Sequence, residues 1–156
     1  MDSARAGAIS SDPVKAGDAE DWQAMRTALW PEGSTSEHRA EIETLLAEPG
    51  DTIAFIARNE QGAALGFVEA AIRYDYVNGC DTSPVAFVEG IFVLPLSRGR
   101  GVARALIASV EQWGQQQGCR ELASDTAPDN LISQSMHKAL GFVETERVVY
   151  FKKLLG

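Results

Sequence analysis

The order of hydrophobic periods along these 156 residues predicts a mixed α+β fold, a mostly antiparallel central sheet flanked by helices. Three observations carry this expectation. Strand-like stretches crowd the middle of the chain, at residues 53–58, 65–72 and 87–93. Two amphipathic helical patterns precede them, and strand and helix alternate after them. Residues 87–104 join a buried-type strand to a helix through a turn rich in glycine and arginine.

In order, residues 11–16 read as a short first strand, and Asp18 or Asp21 is placed to cap a helix running to about Leu29. Trp22, Met25 and Leu29 recur there at spacings of three and four and form a buried stripe. Trp30-Pro31 ends that helix. A second helix is expected over residues 36–47. Ser36 followed by Arg39 makes no capping box, although Glu37 suits a first turn. Ile42, Leu45 and Leu46 face inward, while His38, beside Glu37, Arg39 and Glu41, is expected on the solvated face. Pro49-Gly50 stops the helix.

The stretches 53–58 and 65–72 flank Asn59-Glu60-Gln61-Gly62, a hairpin signal. Residues 74–84 are polar and turn-rich. The strand at 87–93 is β-branched and aromatic, and Pro95 bars it from continuing as a central strand. Beyond the glycine turn, Val102, Leu106, Val110 and Trp113 recur at helical spacing until Gly118. Residues 119–125 form a short strand able to pair in parallel with 87–93 through a right-handed crossover. The last helix covers 130–140, with Ile132, Met136 and Leu140 on one face, and residues 142–152 read as a final long strand. The whole is one domain, with residues 1–11 expected as a frayed leader.

Apolar content of 45% and charged content of 23% are ordinary for a soluble globular protein. No apolar run approaches the roughly 20 residues of a membrane span, and the N-terminus lacks the pattern of a signal peptide, so the expected location is cytoplasmic. Cys80 and Cys119 offer neither metal-ligand spacing nor a disulfide framework; no metal is expected. The net charge of −8 argues against nucleic acid and against anionic membranes, and suits a polycationic small molecule.

The turn itself, Arg98-Gly99-Arg100-Gly101-Val102-Ala103-Arg104, places backbone N–H groups at a helix N-terminus, where the macrodipole favours an anion. Glycine lets phosphate oxygens reach the main chain. A P-loop would need Gly-Lys-Ser/Thr, which is absent. A dinucleotide fingerprint is met by Gly99 and Gly101, with Glu121 at a fitting distance, but Arg104 stands where a third small residue belongs. An ordinary strand–helix turn needs neither two glycines nor two arginines.

The same residues, preceded by Val93-x-Pro95, resemble the Arg/Gln-x-x-Gly-x-Gly/Ala motif of the GNAT N-acetyltransferases. Further blocks resemble the aminoglycoside 6'-N-acetyltransferases within that superfamily: residues 75–80, 89–93, 123–126 and 144–148, together with Leu29-Trp30-Pro31. The likeness runs from about Val14 onward. It implies a GNAT fold, acetyl-coenzyme A as donor substrate, and acetylation of the drug's 6'-amine, giving resistance. It further implies a homodimer whose subunits contribute to each other's sites.

By that resemblance Ile91, Phe92 and Val93 offer peptide groups to the pantetheine arm, and the turn from Arg98 to Arg104 holds the pyrophosphate. Asn130, Ser133, His137 and Gly141-Phe142 follow the superfamily's second motif, with histidine where many members carry a thiolate-protonating tyrosine. Acetyl transfer to an ammonium group needs a base, and Glu89, just before the inner part of the central strand, and Asp125, at the end of the neighbouring strand, stand at acceptor-site positions. Either could be the base while the other anchors ammonium groups. Trp30, Tyr76 and Glu146 complete the expected acceptor lining. His137 could serve as an acid, bond the coenzyme, or be a satisfied helix residue. Two other functions compete: a GNAT enzyme acting on a polyamine or a protein N-terminus, and a non-catalytic acyl-coenzyme A-binding module.

Overall fold

The computed structural model describes residues 7–156 and has a five-stranded sheet in the order β1-β2-β3-β4-β5. The strands are β1 (Ser10–Pro13), β2 (Thr52–Arg58), β3 (Ala64–Arg73), β4 (Val85–Val93) and β5 (Leu122–Ala123). The first three neighbour pairs are antiparallel, and β4 pairs with β5 in parallel. Four helices flank the sheet: α1 (Ala19–Leu29), α2 (Thr35–Ala47), α3 (Val102–Gln116) and α4 (Leu131–Ala139).

Both faces of the sheet are covered, which is why β2 and β3 carry almost continuous apolar runs instead of a strict alternation. On one face α3 buries Val102, Leu106, Ile107 and Val110 against Phe55, Val68 and Val88. On the other, Trp22 and Met25 of α1 and Ile42 of α2 pack on Ala54, Ile56 and Phe67. Removing one of these large side chains should cost about 2–5 kcal/mol, because a close-packed core collapses only partly around a cavity.

Helix and strand expectations hold for α1, β2, β3, β4, α3 and α4, with boundary shifts of a residue or two. The strand expected over residues 119–125 shrinks to Leu122–Ala123, the one expected over 11–16 lies at Ser10–Pro13, and other details differ as well. The helix α2 starts at Thr35, because Ser34 supplies a capping box: its Oγ accepts from Glu37 N at 3.1 Å, and Glu37 Oε1 accepts from Ser34 N at 2.8 Å. His38 is buried rather than solvated, at 3% exposure. The expected leader is partly ordered: β1 includes Ser10 and Ser11, and Ala8 N donates to Glu60 Oε1 at 2.9 Å; residues 1–6 lie outside the described residues. Residues 142–152 form no strand. A strand needs a partner, and β5 gives the sheet only two paired residues, so this stretch runs alongside without a hydrogen-bonded ladder.

Candidate active site

Two irregularities of β4 create the site. Glu69 pairs with Gly90 and Ala70 with Val88, which leaves Glu89 as the extra residue of a β-bulge. Bulges re-aim side chains, and here the re-aimed one is a carboxylate. The second irregularity is a parting of strands. Only Ala86 and Phe87 of β4 pair with β5, so from Val88 onward that edge of β4, including Ile91, Phe92 and Val93, has no strand beside it.

The open edge runs into the glycine turn. Gly99 and Gly101 have φ of +77° and +89°, which disfavour any residue with a Cβ, and the space a Cβ would enter is open at both. Gly101 is also the N-cap of α3. Among the described residues the N–H groups of Gly99, Arg100, Gly101, Val102, Ala103 and Arg104 find no acceptor; the first to do so is Ala105 N, which donates to Gly101 O at 3.0 Å. A run of unpartnered N–H groups at a helix N-terminus is a cradle for an anion. The three arginines divide their work. Arg98 Nε donates to Val93 O at 3.1 Å and Arg104 Nη2 to Ala139 O at 3.2 Å, the latter tying α3 to α4, whereas Arg100 has no protein partner among the described residues.

Trp30 and Glu89 line one cavity of about 740 Å³ together with Arg26, His38, Glu41 and Glu69. The indole of Trp30 lies over Gly90, where any Cβ would collide with it, so the glycine next to the bulge is what lets Trp30 reach β4. Beneath Trp30 is a buried ionic cluster. Arg26 Nη1 and Trp22 Nε1 both donate to Glu69 Oε2, the latter at 2.9 Å, and the Arg26 guanidinium lies 4.8 Å from the Trp30 ring centroid. Arg26 Nε donates to His38 Nδ1 at 3.3 Å. The other nitrogen of that ring, Nε2, must then carry the proton it gives to Trp30 O at 2.9 Å. Burial pushes the Glu69 carboxyl above the ordinary carboxylate range, with Arg26 and Trp22 offsetting part of the rise. The signal for this cluster is present in the sequence: Arg26 interrupts the apolar stripe of α1, and Glu69 interrupts an apolar strand.

Asp125, Glu146 and His137 line a second groove of about 730 Å³ between β5, α4 and residues 142–150. Expected neighbours are thus divided between two cavities, one lined from α1, α2, β3 and β4 and the other from β5, α4 and residues 142–150. Tyr76 is in the loop between β3 and β4 and is 73% exposed. That loop is held by Glu121, whose carboxylate accepts from Asp81 N, Thr82 N and Thr82 Oγ1; these bonds hold its pKa below the ordinary carboxylate value. Glu121 is therefore committed to the loop, which removes it from the dinucleotide role weighed above. Asn130 caps α4, its Oδ1 accepting from Ser133 N at 3.1 Å.

His137 has both ring nitrogens engaged. Nδ1 is 2.7 Å from the carbonyl oxygen of Ser133, which can only accept, so Nδ1 carries the proton in the neutral ring. Nε2 then accepts from Ser124 Oγ at 2.8 Å. The ring stands edge-on to Phe142, with centroids 5.1 Å apart. Ser124, one residue before Asp125, is a site residue that sequence reasoning passed over, because a lone serine in a strand carries no signal until the histidine across from it is placed.

An open strand edge leading into an anion-binding turn, with carboxylates around the parting, is the outline of an acyl-coenzyme A transferase site. The acetyltransferase (GNAT) family model matches residues 20–142. The aminoglycoside N(6')-acetyltransferase type 1 of Serratia marcescens is 58% identical over 135 residues, covering 86% of this chain and 92% of the relative. The enzyme of the same name from Acinetobacter baumannii is 49% identical over 144 residues, covering 92% and 97%. Among solved structures, AAC(6')-Iy in complex with the bisubstrate analog CoA-S-monomethyl-acetylneamine superposes with a TM-score of 0.90 at 49% identity, covering 96% of this chain and all of that one. The chain belongs to the GNAT acetyltransferase family, in the branch of the aminoglycoside N(6')-acetyltransferases.

Proposed function

We propose that the protein transfers the acetyl group of acetyl-coenzyme A to the 6'-amine of aminoglycoside antibiotics and so confers resistance to them. The observation that carries the donor half is the continuity of the unpaired β4 edge with the unpartnered N–H groups from Gly99 to Arg104. The pantetheine arm lies along Ile91, Phe92 and Val93 as a strand would, the pyrophosphate rests on the turn, and the open space over Gly99 and Gly101 admits its oxygens. Arg100 adds a free cation, while Asn130 and His137 border the coenzyme from α4. The acceptor half is carried by relatives named for that reaction and by the carboxylates Glu89, Asp125 and Glu146, with Trp30 and Tyr76 as apolar walls.

Acetyl transfer needs the acceptor amine deprotonated and the departing sulfur protonated. Asp125 takes a proton from the ammonium, while Glu89 holds a neighbouring cation. A proton can reach the sulfur through Ser124 when His137 carries one on each ring nitrogen, the second taken up from solvent: Nε2 then gives its proton to Ser124 Oγ as the Ser124 hydroxyl gives its own to the departing sulfur. The protein works as a homodimer in the cytoplasm. Val143, Val149, Tyr150, Phe151, Leu154 and Leu155 are all strongly exposed, and a second copy covers them. The free thiols Cys80 and Cys119 suit a reducing compartment.

The test is thiol release from acetyl-coenzyme A with tobramycin, spermidine and a peptide as parallel acceptors, followed by NMR of the product. One acetyl group on the 6'-nitrogen of tobramycin is expected. Acetylation at another nitrogen refutes the regiochemistry, and preference for spermidine or peptide refutes the acceptor class.

A further inference from the structure

Glu89, the bulged carboxylate of β4, already has a partner within the chain. Arg73, the last residue of β3, places Nη2 at 3.0 Å from Glu89 Oε2 and 3.2 Å from Oε1, so one nitrogen spans both oxygens. Among the described residues no other cation stands within ion-pair distance of Glu89. The guanidinium lies over the neighbouring ring, its central carbon 3.6 Å from the Phe87 centroid. Arg73, Phe87 and Glu89 thus form a stack on one face of the sheet, and both ends of the ion pair remain solvent-accessible, at 43% and 38%.

This arrangement is unexpected for a site that receives a polycation, since it puts a positive charge on a carboxylate the acceptor is to use. An ammonium and a guanidinium seek the same feature of Glu89, its two oxygens. We propose that Arg73 is a built-in competitor for the acceptor: its guanidinium occupies the seat on Glu89 that a substrate ammonium takes during turnover. The proposal rests on the aminoglycoside reading above and names a residue that sets the affinity of that same site. Stacking on Phe87 explains how the exchange stays inexpensive. When the ammonium arrives, Arg73 gives up an exposed ion pair but keeps the ring beneath it, where a cation remains favoured.

The experiment compares the full-length protein with Arg73→Gln, which keeps length but removes charge, and Arg73→Lys, which keeps charge. KM for tobramycin is measured at saturating acetyl-coenzyme A and at two salt concentrations, with coenzyme A affinity and thermal unfolding as controls. Arg73→Gln should lower KM by about two- to fivefold, the range that an exposed ion pair commands. It should also make KM more sensitive to salt, because an uncompensated Glu89 attracts the cation more strongly. Arg73→Lys should stay near the unaltered protein, and coenzyme A affinity should not move. A KM that rises or stays unchanged in Arg73→Gln, with coenzyme affinity and folding intact, overturns the competitor role and makes Arg73 a support for Glu89. Failure of the unaltered protein to acetylate any aminoglycoside overturns the acceptor reading itself, and the seat with it.

Discussion

A branched side chain at position 101 meets two separate objections. Its backbone has φ of +89°, which valine adopts only under strain, and the open space there is where, on the proposed reading, a phosphate oxygen approaches the main chain. Gly101→Val should therefore abolish measurable coenzyme A binding in calorimetry while the protein still unfolds cooperatively; unchanged affinity would contradict the assignment of the turn. The hydrogen bonds of His137 give a second residue-level test. If its proton reaches the sulfur only through Ser124, then Ser124→Ala and His137→Phe should each reduce single-turnover acetyl transfer by about 100-fold, the lower end for general acid catalysis. The double variant should be little worse than either alone, as expected for residues acting as one unit. A normal rate in Ser124→Ala would mean that His137 acts directly or not at all.

Among the elements, α1 and β3 are joined by charge as well as by apolar packing. Glu69→Gln would leave the Arg26 guanidinium, buried at 3% exposure, with only the largely exposed Glu41 carboxylate at 3.0 Å as its counter-charge, and weakening a buried pair in this way costs up to about 3–5 kcal/mol. Urea unfolding should register that loss near neutral pH, and the Trp30 floor of the acceptor side should loosen with it. The two shifted carboxylates act oppositely on stability. Glu121 has a depressed pKa, so its contribution is present above the ordinary carboxylate value of 4.5 and fades as pH falls through its lower folded value. Glu69 has a raised one, so stability is lost as pH climbs from 4.5 through its folded value. How much of this could be read from sequence follows the range of each interaction. The turn from Arg98 to Arg104 and the stripe Val102, Leu106, Val110 were legible because glycine and helical periodicity are local signals. The burial of His38 was not, because a histidine flanked by Glu37, Arg39 and Glu41 looks solvated until Arg26 and the carbonyl of Trp30 are brought to it. The Glu89 bulge depends on the register of β3 against β4, and the missing final strand depends on how little of β5 joins the sheet. Neither is a property of the segment that displays it.

For the molecule as a whole, the stretch after Gly141 is the part least explained by one chain. Phe151 is 92% exposed and Leu155 91%, and the segment borders the groove that holds Asp125 and Glu146. Ending the chain after Phe142 should yield a monomer in sedimentation analysis, with acetyl transfer lost and coenzyme A affinity kept, since the β4 edge and the turn are untouched. A dimer of the shortened chain would place the contact elsewhere. The unpaired stretch of β4 from Val88 to Val93 has a consequence of another kind. An open, half-buried strand edge is a template on which other chains can add, and proteins ordinarily guard such edges with charge or with a covering segment. On the donor-site reading proposed above, the guard is a small molecule. A coenzyme lying along those peptide groups would hold the edge against fibril-like pairing, so the metabolic supply of acetyl-coenzyme A becomes a condition of the protein's solubility as well as of its turnover.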